Sequence, residues 1–252
     1  MTFVLEQVVS EARERALALA APSSPEASSA ARPSLRAAIA GKDRLSIVAE
    51  FKRRSPSRGA LAEGASVAER VGTYEAAGAS AVSVLTEPTR FGGSYEDLRE
   101  ARASTTLPLL MKDFIVTARQ IEHAATLGAS GVLLIARCLA ARELGELVQV
   151  CAAVGLDPLI ECADAEELAR AQRFEDAVLG VNNRDLRTLE VDPGRSARLL
   201  AELPADRVAI AESGFLTPGD LDRVRGLADA ALVGTALMSS PDPARFLREG
   251  LA

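Results

Sequence analysis

The chain has 252 residues, 48% of them hydrophobic, with 29 Lys and Arg against 35 Asp and Glu for a net charge of −6. This balance, without clustered base, argues against a nucleic-acid partner, and no apolar run reaches the roughly 18 residues that span a bilayer. The charged start at Glu6, Glu11 and Arg13 lacks the uninterrupted apolar stretch of a secretory signal, and Cys138, Cys151 and Cys162 form no C-x-x-C pair, so a cytoplasmic chain without disulfide framework or zinc site is expected.

Residues 3–19 place apolar side chains at Val4, Leu5, Val8, Val9, Ala12 and Ala16, the spacing of one helical face. The Ala, Ser and Pro-rich stretch that follows has no periodicity and reads as a flexible loop up to about residue 33. From there eight short apolar runs recur at 45–52, 80–86, 107–114, 130–136, 157–162, 177–183, 207–213 and 230–235, with helical segments between them. Runs of aliphatic residues without strict alternation suit buried parallel strands, and eight βα units favour closure into a barrel. An open doubly wound sheet is the alternative, but the G-x-G-x-x-G turn after the first strand is missing. The expected architecture is therefore α/β, a (β/α)8 TIM barrel with an extra N-terminal helix before the first strand. One domain spans 1–252, with 1–32 as helix and loop and 33–252 as barrel.

In such barrels the site lies at the C-terminal ends of the strands, and here those ends are polar. Strand one ends Glu50-Phe51-Lys52, strand three Lys112-Asp113-Phe114 and strand five Glu161; strand six ends Asn182-Asn183-Arg184 and strand seven Glu212-Ser213-Gly214. Period-two geometry puts Glu50 with Lys52 and Lys112 with Phe114 on shared sides, with Phe51 and Cys162 turned the other way. Buried ions of this kind need partners, yet apolar residues usually fill the same space with equal stability, so the set points to chemistry. A lysine held among carboxylates can donate a proton and a desolvated glutamate can accept one. Asp113 stays ambiguous between catalysis and a helix-facing bridge. The single histidine, His123, falls in a helical segment and is not expected in the chemistry.

Ser213-Gly214 after strand seven and Gly234-Thr235 after strand eight match the common barrel phosphate site, where backbone N–H groups hold an anion. Ser55-Pro56-Ser57-Arg58-Gly59 after strand one is a second polar loop that can close over a ligand, and Phe91, Phe114, Leu133 and Leu186 are candidates for a flat apolar pocket.

The blocks IVAEFKRRSPSRG, SVLTEPTRFGGS, LLMKDFIV, GVLLIAR, LIECADAEEL, GVNNRDLRTLEVD, IAESG and LVGTALM, in order over nearly the whole chain, resemble indole-3-glycerol-phosphate synthase. The resemblance implies a carboxy-lyase of tryptophan biosynthesis. It would close the pyrrole ring of carboxyphenylamino-deoxyribulose phosphate, lose carbon dioxide and water and release indole-glycerol phosphate, with no cofactor or metal. It also implies roles. Lys112 would be the general acid of ring closure, Glu50 would position the lysines and Glu161 would be the acid/base group of dehydration. Lys52 would either meet a substrate anion or donate a proton in dehydration. Asn182, Arg184, Glu212 and Ser213 would orient substrate; Ser55, Gly214, Gly234 and Thr235 would surround phosphate; Phe91, Phe114, Leu133 and Leu186 would hold the anthranilate ring. The chain departs from the family pattern at Phe51, Ala163 and Thr235. The partner implied is a small phosphorylated substrate, and monomer and homodimer both remain open. A class I aldolase, with Lys112 or Lys52 as a Schiff base, and a non-catalytic barrel are the competing readings.

Overall fold

The computed structural model describes residues 5–19, 32–41 and 43–252. Eight parallel strands close into one barrel, each hydrogen-bonded to its sequence neighbours and the last to the first. They are, in chain order, Ser46–Phe51, Ala81–Leu85, Leu109–Lys112, Gly131–Ile135, Asp157–Cys162, Val178–Asn182, Ala209–Glu212 and Ala230–Val233. These are the eight apolar runs of the sequence, trimmed at their ends. Strand three starts only after Pro108, which has no N–H to donate to a ladder. Strand seven starts after Arg207, whose guanidinium instead donates to the carbonyls of Gln172 and Phe174, both at 2.7 Å. The two Gly-Ala-Ser strand entries do end helices as expected, with Gly78 and Gly128 in the left-handed region (φ 93° and 83°).

The N-terminal helix runs Leu5–Leu17 and buries Val8, Ala12 and Ala16, the predicted apolar face. The expected loop of 20–33 falls mostly outside the described residues. A second short helix, Leu35–Ile39, was not legible as a periodic segment because it is barely one turn long. Ser34 caps it, and Asp157 at the start of strand five accepts from the Ser34 hydroxyl (2.8 Å) and the Arg36 N–H (3.0 Å). Leu35 and Ile39 are fully buried there, so this helix closes the end of the barrel opposite the polar strand termini. A two-strand ladder, Arg54–Ser55 against Gly59–Ala60, forms in the loop after strand one. Among the described residues no helix is long and apolar enough to cross a membrane.

Candidate active site

The pleat of the barrel strands sends alternate side chains inward, and at the C-terminal ends these converge on a cavity of about 370 Å³. Glu50 and Lys52 from strand one, Lys112 from strand three and Glu161 from strand five line it together. Glu212 from strand seven lies beneath them, fully buried. Lys52 Nζ is 2.6 Å from Glu50 Oε1. Lys112 Nζ is 2.5 Å from Glu212 Oε2, 3.6 Å from Glu161 Oε2 and 3.9 Å from Glu50 Oε2. One ammonium therefore faces three carboxylates, and the second lysine neutralises one of them.

Burial alone would push the Lys112 ammonium toward deprotonation, but Glu212, Glu161 and Glu50 outweigh it and hold the group charged well above the ordinary lysine range. Glu50 is likewise raised by burial but brought below its usual value by Lys52 and Lys112. Glu212 goes the other way. Burial, offset in part by Lys112 and reinforced by repulsion from Glu161, raises its carboxyl to about 7. The cluster thus holds a protonated lysine beside a carboxyl that titrates near neutrality, an arrangement fitted to proton transfer without imidazole. His123 lies away from it, edge-on against the Tyr95 ring with centroids 4.8 Å apart.

One wall of the cavity is apolar. Phe91, Phe114, Leu133 and Leu186 line it, as expected, joined by Leu85, Ile135, Leu189 and Val191. Phe91 ends the single-turn helix Pro88–Phe91, whose N-terminus Glu87 caps by accepting from the Arg90 and Phe91 N–H groups at 2.6 and 3.1 Å. Phe51 points outward instead, beneath the Arg53 guanidinium at 5.0 Å, so this departure from the family pattern does not enter the cavity. Ala163 offers only a methyl group, and its backbone N–H donates to Glu167 Oε2 at 2.7 Å.

The other end of the cavity suits an anion. Ser213 and Gly214 lie there in consecutive left-handed conformations (φ 66° and 87°). Serine is costly in that region, and the turn is pinned by Asn183 Nδ2, which donates to the Ser213 carbonyl at 2.9 Å. Gly234 and Thr235 open the short helix Thr235–Ser239 beside it, and Ser55 lines the same rim while its hydroxyl accepts from the Arg58 N–H at 3.2 Å. Asn182 and Arg184 complete the lining. Asn182 Oδ1 accepts from the Arg184 N–H (2.9 Å), and the Arg184 guanidinium donates to the Leu189 carbonyl (2.6 Å). Burial and then the nearby Arg58 press Arg184 below its ordinary value. Neither arginine makes an ion pair among the described residues, so two cations face a space that an anionic ligand would neutralise.

The family model for indole-3-glycerol phosphate synthase matches residues 5–249. The chain belongs to the indole-3-glycerol phosphate synthase family. Relatives agree. It is 42% identical over 243 residues to indole-3-glycerol phosphate synthase 1 of Streptomyces coelicolor, covering 95% of this chain and 90% of that one. It is 43% identical over 218 residues to the indole-3-glycerol phosphate synthase of Thermococcus kodakarensis, covering 85% and 96%. Among solved structures, thiamine phosphate pyrophosphorylase of Pyrococcus furiosus superposes with a TM-score of 0.62 at 16% identity, over 83% of this chain and 95% of that one; this likeness is one of fold.

Within this indole-3-glycerol phosphate synthase fold, Asp113 takes the bridging role of its two readings. Its Oδ1 meets Arg15 of the N-terminal helix at 2.8 Å and accepts from the Phe114 N–H at 2.7 Å, and Oδ2 accepts from the Thr86 hydroxyl at 3.0 Å. Arg15 also reaches Glu87 (3.9 Å), while Arg90 joins Glu87 (3.2 Å) to Glu11 (2.6 Å). The helix is thereby tied to the residues that hold Phe91 and Phe114. Sequence reading missed this brace because nothing local in LEQVVSEARERAL names a partner about a hundred positions away; Leu189 and Val191 were missed because they sit on an irregular turn.

Burial raises the Asp113 carboxyl to about 6, outweighing Arg15 and the two hydrogen bonds. An acid whose folded value lies above its unfolded one favours the fold fully below the unfolded value, and that contribution is lost as pH rises through the folded one. Between pH 4 and pH 7, Asp113→Asn is therefore expected to gain on the wild type by on the order of 3 kcal/mol. Urea denaturation of both chains at the two pH values checks this; a shift in the opposite direction would contradict it.

Proposed function

We propose that this cavity converts carboxyphenylamino-deoxyribulose phosphate into indole-glycerol phosphate, with Lys112 as the proton donor of ring closure. The observation that carries the reading is the protonated Lys112 set among Glu212, Glu161 and Glu50 at the junction of an apolar wall and an anion-suited rim. The substrate phosphate sits at Ser213, Gly214, Gly234 and Thr235, with Ser55 at the edge, and the anthranilate ring lies against Phe91, Phe114, Leu133 and Leu186. Asn182 and Arg184 orient the chain between them, while Glu212, buried beneath the cavity, holds the Lys112 ammonium (2.5 Å).

In this reading the ring carbon bearing the carboxylate attacks the ketone carbon, the new C–C bond forms and the carbonyl oxygen takes a proton from Lys112 to become an alcohol. The C–CO2 bond then breaks and its electron pair restores the aromatic ring; a dry apolar wall that solvates carboxylate poorly favours that loss. Dehydration follows. The alcohol leaves as water after protonation, and the adjacent carbon gives up a proton to Glu161. Lys52 stands close enough to Glu50 (2.6 Å) to be held either for the leaving alcohol or for a substrate anion. Glu50 positions both lysines. The partner is this small phosphorylated molecule, and neither nucleic acid nor membrane is called for.

The chain works as one domain over 1–252, a barrel with the N-terminal helix braced through Arg15 and Glu11 against Asp113, Glu87 and Arg90. The cytoplasm suits it: all three cysteines are unpaired, and burial pushes the Cys138 and Cys151 thiols up to about 12, away from the reactive thiolate.

Incubation of the purified chain with the carboxyphenylamino substrate should produce indole fluorescence, and borohydride added during turnover should leave no adduct. A covalent adduct on Lys112 or Lys52 would move the assignment to Schiff-base chemistry and overturn this one.

A further inference from the structure

Gly180 occupies the middle of strand six, where buried parallel strands ordinarily carry branched aliphatic side chains. Glycine in a strand interior weakens it, by about 0.5–1 kcal/mol relative to alanine. Its backbone is not left-handed, so conformation does not call for glycine here. Space does. A Cβ at this position would stand 2.4 Å from Glu212 Oε1, 3.1 Å from Leu159 Cδ1 and 3.4 Å from the Glu161 Cα.

The Glu212 carboxylate thus fills the notch that the missing side chain leaves. Its Oε2 reaches Lys112 at 2.5 Å, while Oε1, turned into the notch, is fully buried and has no hydrogen-bond partner among the described residues. An unpartnered buried acceptor is unfavourable, and so is the glycine. Both are accepted for one geometric result, a carboxylate held directly beneath the Lys112 ammonium. Across the barrel Gly234 makes the same kind of room: a Cβ there would lie 2.2 Å from Glu50 Oε1 and 2.9 Å from Lys52 Nζ. Gly234 also borders the anion-suited rim, so a substitution there would disturb two things at once. The three atoms nearest a Cβ at Gly180 belong to the Glu212 carboxylate, the Leu159 side chain and the Glu161 backbone, none of them on that rim.

We infer that Gly180 is a positioning residue of the reaction, seating the Glu212 carboxylate against Lys112 by leaving its own side-chain space empty. The inference rests on the reading of Lys112 as proton donor. It predicts that substitution at Gly180 acts through Glu212 and not through the barrel as a whole.

A double-mutant cycle of Gly180→Ala and Glu212→Ala, followed by kcat, KM and thermal denaturation, tests it. Gly180→Ala should lower kcat at least about tenfold with KM changed less than about threefold, since a displaced charge partner is felt in the proton transfer more than in substrate binding. Glu212→Ala should also lower kcat. Because that change empties the notch, adding Gly180→Ala to it should lower kcat by less than about twofold and leave its melting temperature no lower. A multiplicative loss in the double variant, or a Gly180→Ala enzyme with wild-type kcat, would overturn the role of Gly180 alone. Wild-type kcat in Glu212→Ala would overturn the reading of the lysine cluster and the role of Gly180 with it. Should Gly180→Ala fail to fold, a double variant that folds with the kcat of Glu212→Ala supports the seat, and one that also fails to fold refutes it.

Discussion

Lys112→Ala is expected to reduce turnover by at least about two orders of magnitude, the usual scale for removing a positioned proton donor. The loss should fall on kcat more than on KM, because the ammonium acts on charge that develops as the carbonyl becomes an alcohol. Three carboxylates surround Lys112 Nζ within 3.9 Å, so truncation also leaves them facing one another with Lys52 as their remaining cation. Removing one partner of a buried ionic set typically destabilises by about 3–5 kcal/mol. Part of that cost is avoided here, since burial already raises the Glu212 carboxyl, and loss of its ammonium raises it further and favours uptake of a proton. The variant should therefore melt lower than the wild type while retaining its far-ultraviolet circular dichroism. Activity is to be compared well below that melting point. Near-normal turnover in a folded Lys112→Ala chain would remove Lys112 from the chemistry.

Glu161→Gln should separate the two halves of the reaction. Glu161 Oε2 lies 3.6 Å from Lys112, near enough to help hold its charge but without the short contact that Glu212 makes. If Glu161 serves dehydration, glutamine in its place leaves ring closure and loss of carbon dioxide largely intact and slows water loss by about two orders of magnitude. In a single turnover, carbon dioxide should then appear ahead of indole fluorescence, with a cyclised alcohol accumulating between them. Equal slowing of both signals would place Glu161 in ring closure, and no slowing of either would remove it from the reaction.

Much of this molecule is written in local sequence. The strand run LSIVAEFK carries its own burial pattern, and the alternation within it already separates Glu50 and Lys52 from Phe51, which the structure turns outward beneath Arg53. The strand-end residues were recognisable because polar groups at the close of an apolar run have few reasons to be there, and every predicted site residue except Glu212 lines the cavity. Glu212 differs because its burial beneath Lys112 depends on the empty side-chain position of Gly180 one strand away, and a strand glycine in GVNN carries no visible mark of what occupies its space. The same holds for Arg15 and Asp113. Their 2.8 Å contact joins a helix to a strand end through tertiary packing, which neither periodicity nor motif spacing encodes. The helix at Leu35–Ile39 escaped for a different reason, being too short for a periodic signal and held by Asp157 from far along the chain.

Ring closure with decarboxylation by the lysine and glutamate cluster is tested most directly by incubating the wild-type chain with substrate labelled in the anthranilate carboxyl carbon and following released carbon dioxide against indole formed. One labelled carbon dioxide for each indole-glycerol phosphate, released at least about a hundredfold more slowly by the Lys112→Ala enzyme, is the predicted result. Substrate consumed without labelled carbon dioxide, or labelled carbon dioxide released at an undiminished rate by Lys112→Ala, would contradict it.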